Sequence, residues 1–176
     1  MHPILRELSG GDRRSIGRAN EIAAAVLATP AKFHLVFEGL TNDDPIIRMR
    51  AADVLEKVTK SRPEFLKPYK RKLLAIASET NQIEVRWHAA LMIPRLALSA
   101  AQRAAAVDML LDYLQDRSSI VRTCAMDALA QLAHGNPHLR ARVSPLLHEL
   151  LEIGTPAMRA RGRKLLQGLN RQRSKA

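Results

Sequence analysis

The chain has 176 residues, 47% hydrophobic and only 3% aromatic, with one cysteine and a net charge of +11. The single Cys124 excludes an intrachain disulfide framework, and neither a membrane-length apolar run nor an N-terminal apolar leader is visible, so the expected setting is soluble and cytoplasmic. The core must come from Leu, Ala, Ile, Val and Met, and the basic excess attracts nucleic acid, acidic membrane surfaces or acidic proteins alike.

In chain order, residues 1–12 read as a short helix or loose segment that breaks at Ser9-Gly10-Gly11. Asp12 is placed to cap a helix over about 13–28, with Ile16, Ala19, Ala23, Val26 and Leu27 as its buried stripe. Thr29-Pro30 then opens the next helix, a capping residue followed by Pro at the first helical position. The device recurs at Asp44-Pro45, Asn136-Pro137 and Thr155-Pro156. Ser61…Glu64, Asn81…Glu84 and Ser99…Gln102 have the spacing of a capping box. These starts predict helix pairs: 30–40 with 45–60, 64–79 with 82–98, 100–115 with 118–134, and 137–153 with 155–169. Short connections make the partners antiparallel. Pro68 and Pro145 are expected to restart first helices, and Pro94 to kink a second helix. The basic end is expected to fray.

One skeleton recurs in the second helices. Arg48, Arg86, Arg122 and Arg159 stand at spacings of 38, 36 and 37 residues. Each follows an apolar residue (Ile47, Val85, Val121, Met158). Three positions later comes a small residue: Ala51, Ala89, Ala125, Gly162. Apolar residues follow at +6, at +7 (Leu55, Ile93, Leu129, Leu166) and at +10 (Val58, Leu96, Leu132, Leu169). These offsets share one face of a helix, and a period in the high thirties is the mark of an α-solenoid.

The pattern of apolar residue, Arg, small residue and Leu resembles the second-helix signature of HEAT repeats, over about residues 30–170. The resemblance implies an all-α fold, a right-handed α-α superhelix of about four helix pairs plus an N-terminal capping helix. The chain then reads as a single domain, 1–176. It has a cap at 1–29, repeats at 30–62, 63–98, 99–135 and 136–170, and a basic tail at 171–176. In such arrays the repeated Arg pairs with an Asp or Asn in the turn before its helix. That makes Arg48, Arg86, Arg122 and Arg159 a structural ladder, with Asp43, Asp44, Asn81 and Asp116 as partners and Arg159 left without one. Second helices of HEAT arrays line a concave surface, and the family consists mainly of protein-binding scaffolds.

The positions opposite the apolar stripe (+1, +2, +5, +8, +9) are then expected to face the groove. They supply Met49, Arg50, Asp53, Glu56 and Lys57; then Trp87, His88, Leu91, Pro94 and Arg95; then Thr123, Cys124, Asp127, Ala130 and Gln131; then Ala160, Arg161, Lys164 and Gln167. Met49, Trp87 and Leu91 rimmed by Arg50, His88 and Arg95 make a candidate partner-binding patch, because Trp, Met and Arg dominate interface centres. The alternative packs Trp87 between repeats. Arg161, Arg163 and Lys164 are candidates for an anionic partner, with a solvated end cap as the alternative. No glycine-rich phosphate loop and no HExxH motif is present, His134 and His138 are separated by Gly135-Asn136-Pro137, and Cys124 has no His within helix reach. No enzyme activity, cofactor or metal is therefore expected. The expected function is a scaffold for a protein or peptide. The alternative is nucleic-acid binding; within it, a relative of HEAT-like alkylpurine DNA glycosylases would use Trp87 with Asp53 or Asp127. Bilin-lyase HEAT proteins resemble the chain by fold only.

Overall fold

The computed structural model describes residues 1–173, with the side chains of residues 172 and 173 left aside. Every regular element among them is helical. They form two compact units, an N-terminal unit, Met1–Ala97, and a C-terminal unit that starts at Leu98.

The N-terminal unit holds α1 (Pro3–Arg6), α2 (Ala19–Ala28), α3 (Phe33–Glu38), α4 (Pro45–Ser61), α5 (Lys70–Glu79) and α6 (Ile83–Met92). Single 3-10 turns flank α3 at Pro30–Lys32 and Gly39–Thr41, a longer 3-10 stretch over Pro63–Tyr69 precedes α5, and Ile93–Arg95 follows α6. In this unit α3 packs on α4, α5 on α6, and both α2 and α6 on α4. The C-terminal unit holds α7 (Ala100–Tyr113), α8 (Ser119–Leu132), α9 (Pro137–Ile153) and α10 (Pro156–Arg173). There α7 packs on α8, α9 on α10, and α8 on both α9 and α10.

The chain's own chemistry sets these boundaries. Asp44 accepts from the Ile46 N–H at 2.8 Å, Asn136 from that of Leu139 at 3.0 Å, and Thr155 from that of Met158 at 3.3 Å. Ser99 and Gln102 close a full capping box. Each cap satisfies a backbone donor that the first turn leaves orphaned. The repeated stripe is the core: positions −1, +3, +6, +7 and +10 are buried in all four arginine-bearing segments, except half-buried Leu165. Gly162 shows why the +3 residue is small. A Cβ there would stand 2.9 Å from Leu151 Cδ2 and 3.2 Å from Met126 Cε.

Several expectations need correction. The helix expected from residue 13 starts at Ala19, Asp12 accepts only a turn bond from Arg14 N–H, and Ile16 and Leu27 are exposed. Ser61 ends α4 instead of capping the next segment, its hydroxyl donating to the Val58 carbonyl. No side-chain cap holds the start of α6, where Gln82 takes the N-cap place. Thr29 likewise makes no side-chain cap bond. Pro94 stops the α-helix at Met92 and leaves one 3-10 turn, and Pro68 lies inside the 3-10 stretch before α5. Pro145, by contrast, does not restart a helix: α9 runs through it. Pro145 and Ala141 are both exposed, so the carbonyl that loses its helical donor faces water. At the C-terminus α10 continues to Arg173, and Ser174 to Ala176 of the expected tail lie outside the described residues.

Candidate functional site

The faces opposite the apolar stripe hold the polar chemistry of both units, but much of it is internal. In the N-terminal unit His88, at +2 on α6, turns Nε2 toward Asp53 Oδ1, at +5 on α4, at 3.4 Å. Its Nδ1 lies 2.6 Å from the Glu84 carbonyl. A carbonyl can only accept, so Nδ1 carries the hydrogen and Nε2 is the nitrogen left for Asp53. Lys57 Nζ, one turn on from Asp53, reaches its other oxygen at 2.6 Å. Burial pushes the Asp53 carboxyl up, but His88 and Lys57 outweigh it and hold the group below its ordinary range. In the C-terminal unit the same two positions pair again. Arg161, at +2 on α10, donates to Asp127 Oδ1, at +5 on α8, from Nε at 2.7 Å and from Nη2 at 2.6 Å. Thus the +2 residue of one arginine-bearing helix, His88 or Arg161, meets the +5 aspartate of the preceding one. Sequence reading placed these residues on a face without seeing that they find each other. The signal was there: Asp stands at +5 only where a His or Arg stands at +2 one repeat later.

Arg50 occupies +2 in the first repeat and is 3% exposed. It has no preceding aspartate. Its Nη1 donates to the carbonyls of Leu8 (2.9 Å), Ser9 (3.1 Å) and Gly10 (2.7 Å), its Nε to that of Ser15 (3.1 Å), and its Nη2 to that of Asp12 (3.4 Å). Gly17 closes the site. It adopts φ +53°, and a Cβ on it would lie 2.8 Å from the Arg50 guanidinium carbon. The registers correspond. Gly17 faces Arg50 as Asp53 faces His88, and Asn20 meets Lys57 at 2.6 Å as Glu56 meets Arg95. Residues 12–28 therefore meet α4 in the register in which α4 meets α6, and backbone carbonyls stand where the later pairs have a carboxylate.

The candidate patch is corrected accordingly. Met49, Arg50 and His88 are buried and line no open groove, because the N-terminal segment and the α4–α6 contact cover them. Trp87 and Leu91 are half-buried. The Trp87 ring stacks on His88 with centroids 3.3 Å apart and planes at 27°. Arg95 is engaged by the Glu56 carboxylate, the Glu56 carbonyl (2.7 Å) and the Thr59 hydroxyl (2.9 Å). Of the cationic candidates, Arg161 is tied to Asp127, whereas Arg163 and Lys164 are exposed.

Two of the repeated arginines, Arg48 and Arg159, bind turns through backbone carbonyls. Arg48 donates to the carbonyls of Asn42 and Asp43 at 2.7 and 2.9 Å and to the Gln82 side chain at 2.7 Å. Gln82 in turn donates to the Pro45 carbonyl at 2.8 Å, tying successive turns together. Arg159 is not left without a partner, since it donates to the Gly154 carbonyl at 3.1 Å. Arg86 and Arg122 are half-buried at the equivalent positions.

Among the described residues no group of three or more His, Cys, Asp or Glu is arranged to hold a metal ion, and no helix is long and apolar enough to cross a membrane. The chain matches no family model and no curated protein.

Proposed function

We propose that the protein is a non-enzymatic binding module, a HEAT-like α-solenoid that holds a protein or peptide partner against the face carrying Trp87 and Leu91. The observation that supports this most is the setting of Trp87. The chain's one tryptophan is stacked on a buried histidine, which restricts its orientation, while part of its surface stays open beside Leu91. A ring fixed before binding loses little entropy on contact, and such anchors carry interface energy. The test is Trp87→Ala in the full chain, with circular dichroism to check the fold and quantitative pull-down to identify partners. The reading requires an intact fold and loss of specific captured proteins. Unfolding of the variant, or an unchanged capture profile, overturns it.

The second reading, an anionic partner on α10, is favoured by exposed Arg163 and Lys164, at positions whose α8 counterparts, Met126 and Asp127, are covered. Titration with a duplex oligonucleotide at low and at physiological salt decides it, since phosphate contacts weaken linearly in log salt. No binding at low salt removes it.

A further inference from the structure

The chain has one Trp, two Tyr and three Phe, and all three Phe gather with Tyr69 on one outer surface of the N-terminal unit. Phe33 on α3 is the buried floor. Phe65 stands on it edge-on, with centroids 5.4 Å apart at 75°, and Tyr69 leans on it at 5.5 Å and 52°. Phe37 stacks on Tyr69 at 4.3 Å. Phe65 and Tyr69 stay half-exposed. Together with His34, Glu64 and Pro68 the three rings line a cavity of about 310 Å³.

The chain segment that carries Phe65 and Tyr69, residues 60–72, is strongly basic. Lys60, Lys67, Arg71 and Lys72 are exposed and make no ion pair or side-chain hydrogen bond among the described residues. The Arg62 guanidinium lies over Phe65, 4.8 Å from its centroid. The one carboxylate on the cavity wall, Glu64, is hydrogen-bonded by Arg62, which holds it below its ordinary range. Glu38 lies close enough to Tyr69 to help burial raise its phenol. Basic side chains interleaved with aromatic rings are the two halves of an unpaired-strand site. The charges track phosphates, and the rings accept any base face. A duplex offers no free base face to Phe65 or Tyr69, an acidic peptide would use the lysines and leave the rings idle, and an organic cation would meet the local positive excess.

We propose that this surface binds single-stranded nucleic acid, with a base against Tyr69 and Phe65 and the flanking phosphates on the exposed lysines and Arg71. The proposal does not rest on the Trp87 face. It is tested with the full chain by fluorescence anisotropy, using labelled oligothymidylate and oligouridylate. The two arms distinguish DNA from RNA, and unlabelled duplex serves as competitor. Binding is expected at low salt, falling linearly in log salt. Phe65→Leu and Tyr69→Leu, which keep apolar bulk and remove the ring, should each weaken it roughly tenfold. Lys72→Gln should lower the salt slope by about one, and Glu64→Gln should tighten binding. Ultraviolet crosslinking of the wild-type complex, with peptide mapping, should place the adduct on residues 65–69 and needs no variant to fold. Absence of binding at low salt overturns the proposal. So does unchanged affinity in both ring variants, equal competition by duplex, or a crosslink that maps to α10 instead.

Discussion

The two units use one pairing rule in two environments. In the N-terminal unit the +2 residue, His88, has a side chain 3% exposed, and Asp53 beside it also serves Lys57. In the C-terminal unit the cation, Arg161, is 46% exposed, with a bidentate-donating fork on a single oxygen of Asp127. The N-terminal segment seals Arg50, and the His88 side chain is almost wholly shielded from water, whereas the Arg161 side chain stays open to it. A repeated sequence position therefore does not imply a repeated energetic role: burial decides how much a given contact stabilises.

The largest expected effect tests the seal. Arg50→Ala removes five hydrogen bonds to carbonyls and leaves a buried gap, so it should lower stability by about 3 kcal/mol by chemical denaturation. Amide exchange should accelerate across residues 8–18 while α8 and α10 stay protected. Protection of residues 8–18 in this variant would mean that Arg50 does not hold the segment.

Asp53→Asn comes next, at about 1–2 kcal/mol near neutral pH. The native carboxyl titrates below its ordinary range. Its contribution is therefore present above the unfolded value near pH 4 and is lost as pH falls through the lower native value. The stability gap between wild type and Asp53→Asn should shrink on acidification below about pH 4. A gap that widens there contradicts the arrangement. The smallest effect is Asp127→Asn, under about 1 kcal/mol, because its partner is nearly half exposed and water replaces the contact readily. If denaturation midpoints show the two Asn variants equally damaged, the contrast between the units disappears.

Much of the fold was legible because its signals are local. Asp44-Pro45, Asn136-Pro137 and Ser99 with Gln102 announce helix starts through atoms two or three residues away, and the arginine skeleton marks the buried stripe by spacing alone. What failed was long-range or depended on solvent. The start of α2 is set by a guanidinium more than thirty residues downstream that claims carbonyls a helix would otherwise use. Pro145 looks like a break until its exposed setting is known. The same limit applied to the site. The helical wheel assigned Met49, Arg50 and His88 to the face opposite the stripe. It could not show that other parts of the chain cover that face.

The Trp87 stack has a practical consequence. The one tryptophan lies against His88 in the N-terminal unit, and the C-terminal unit has no tryptophan at all. Tryptophan emission, excited to the red of tyrosine absorption, thus reports the N-terminal unit alone, whereas far-ultraviolet circular dichroism sums helices from both. Overlaying the two melting curves would reveal, without any label, whether the halves lose structure together or in turn.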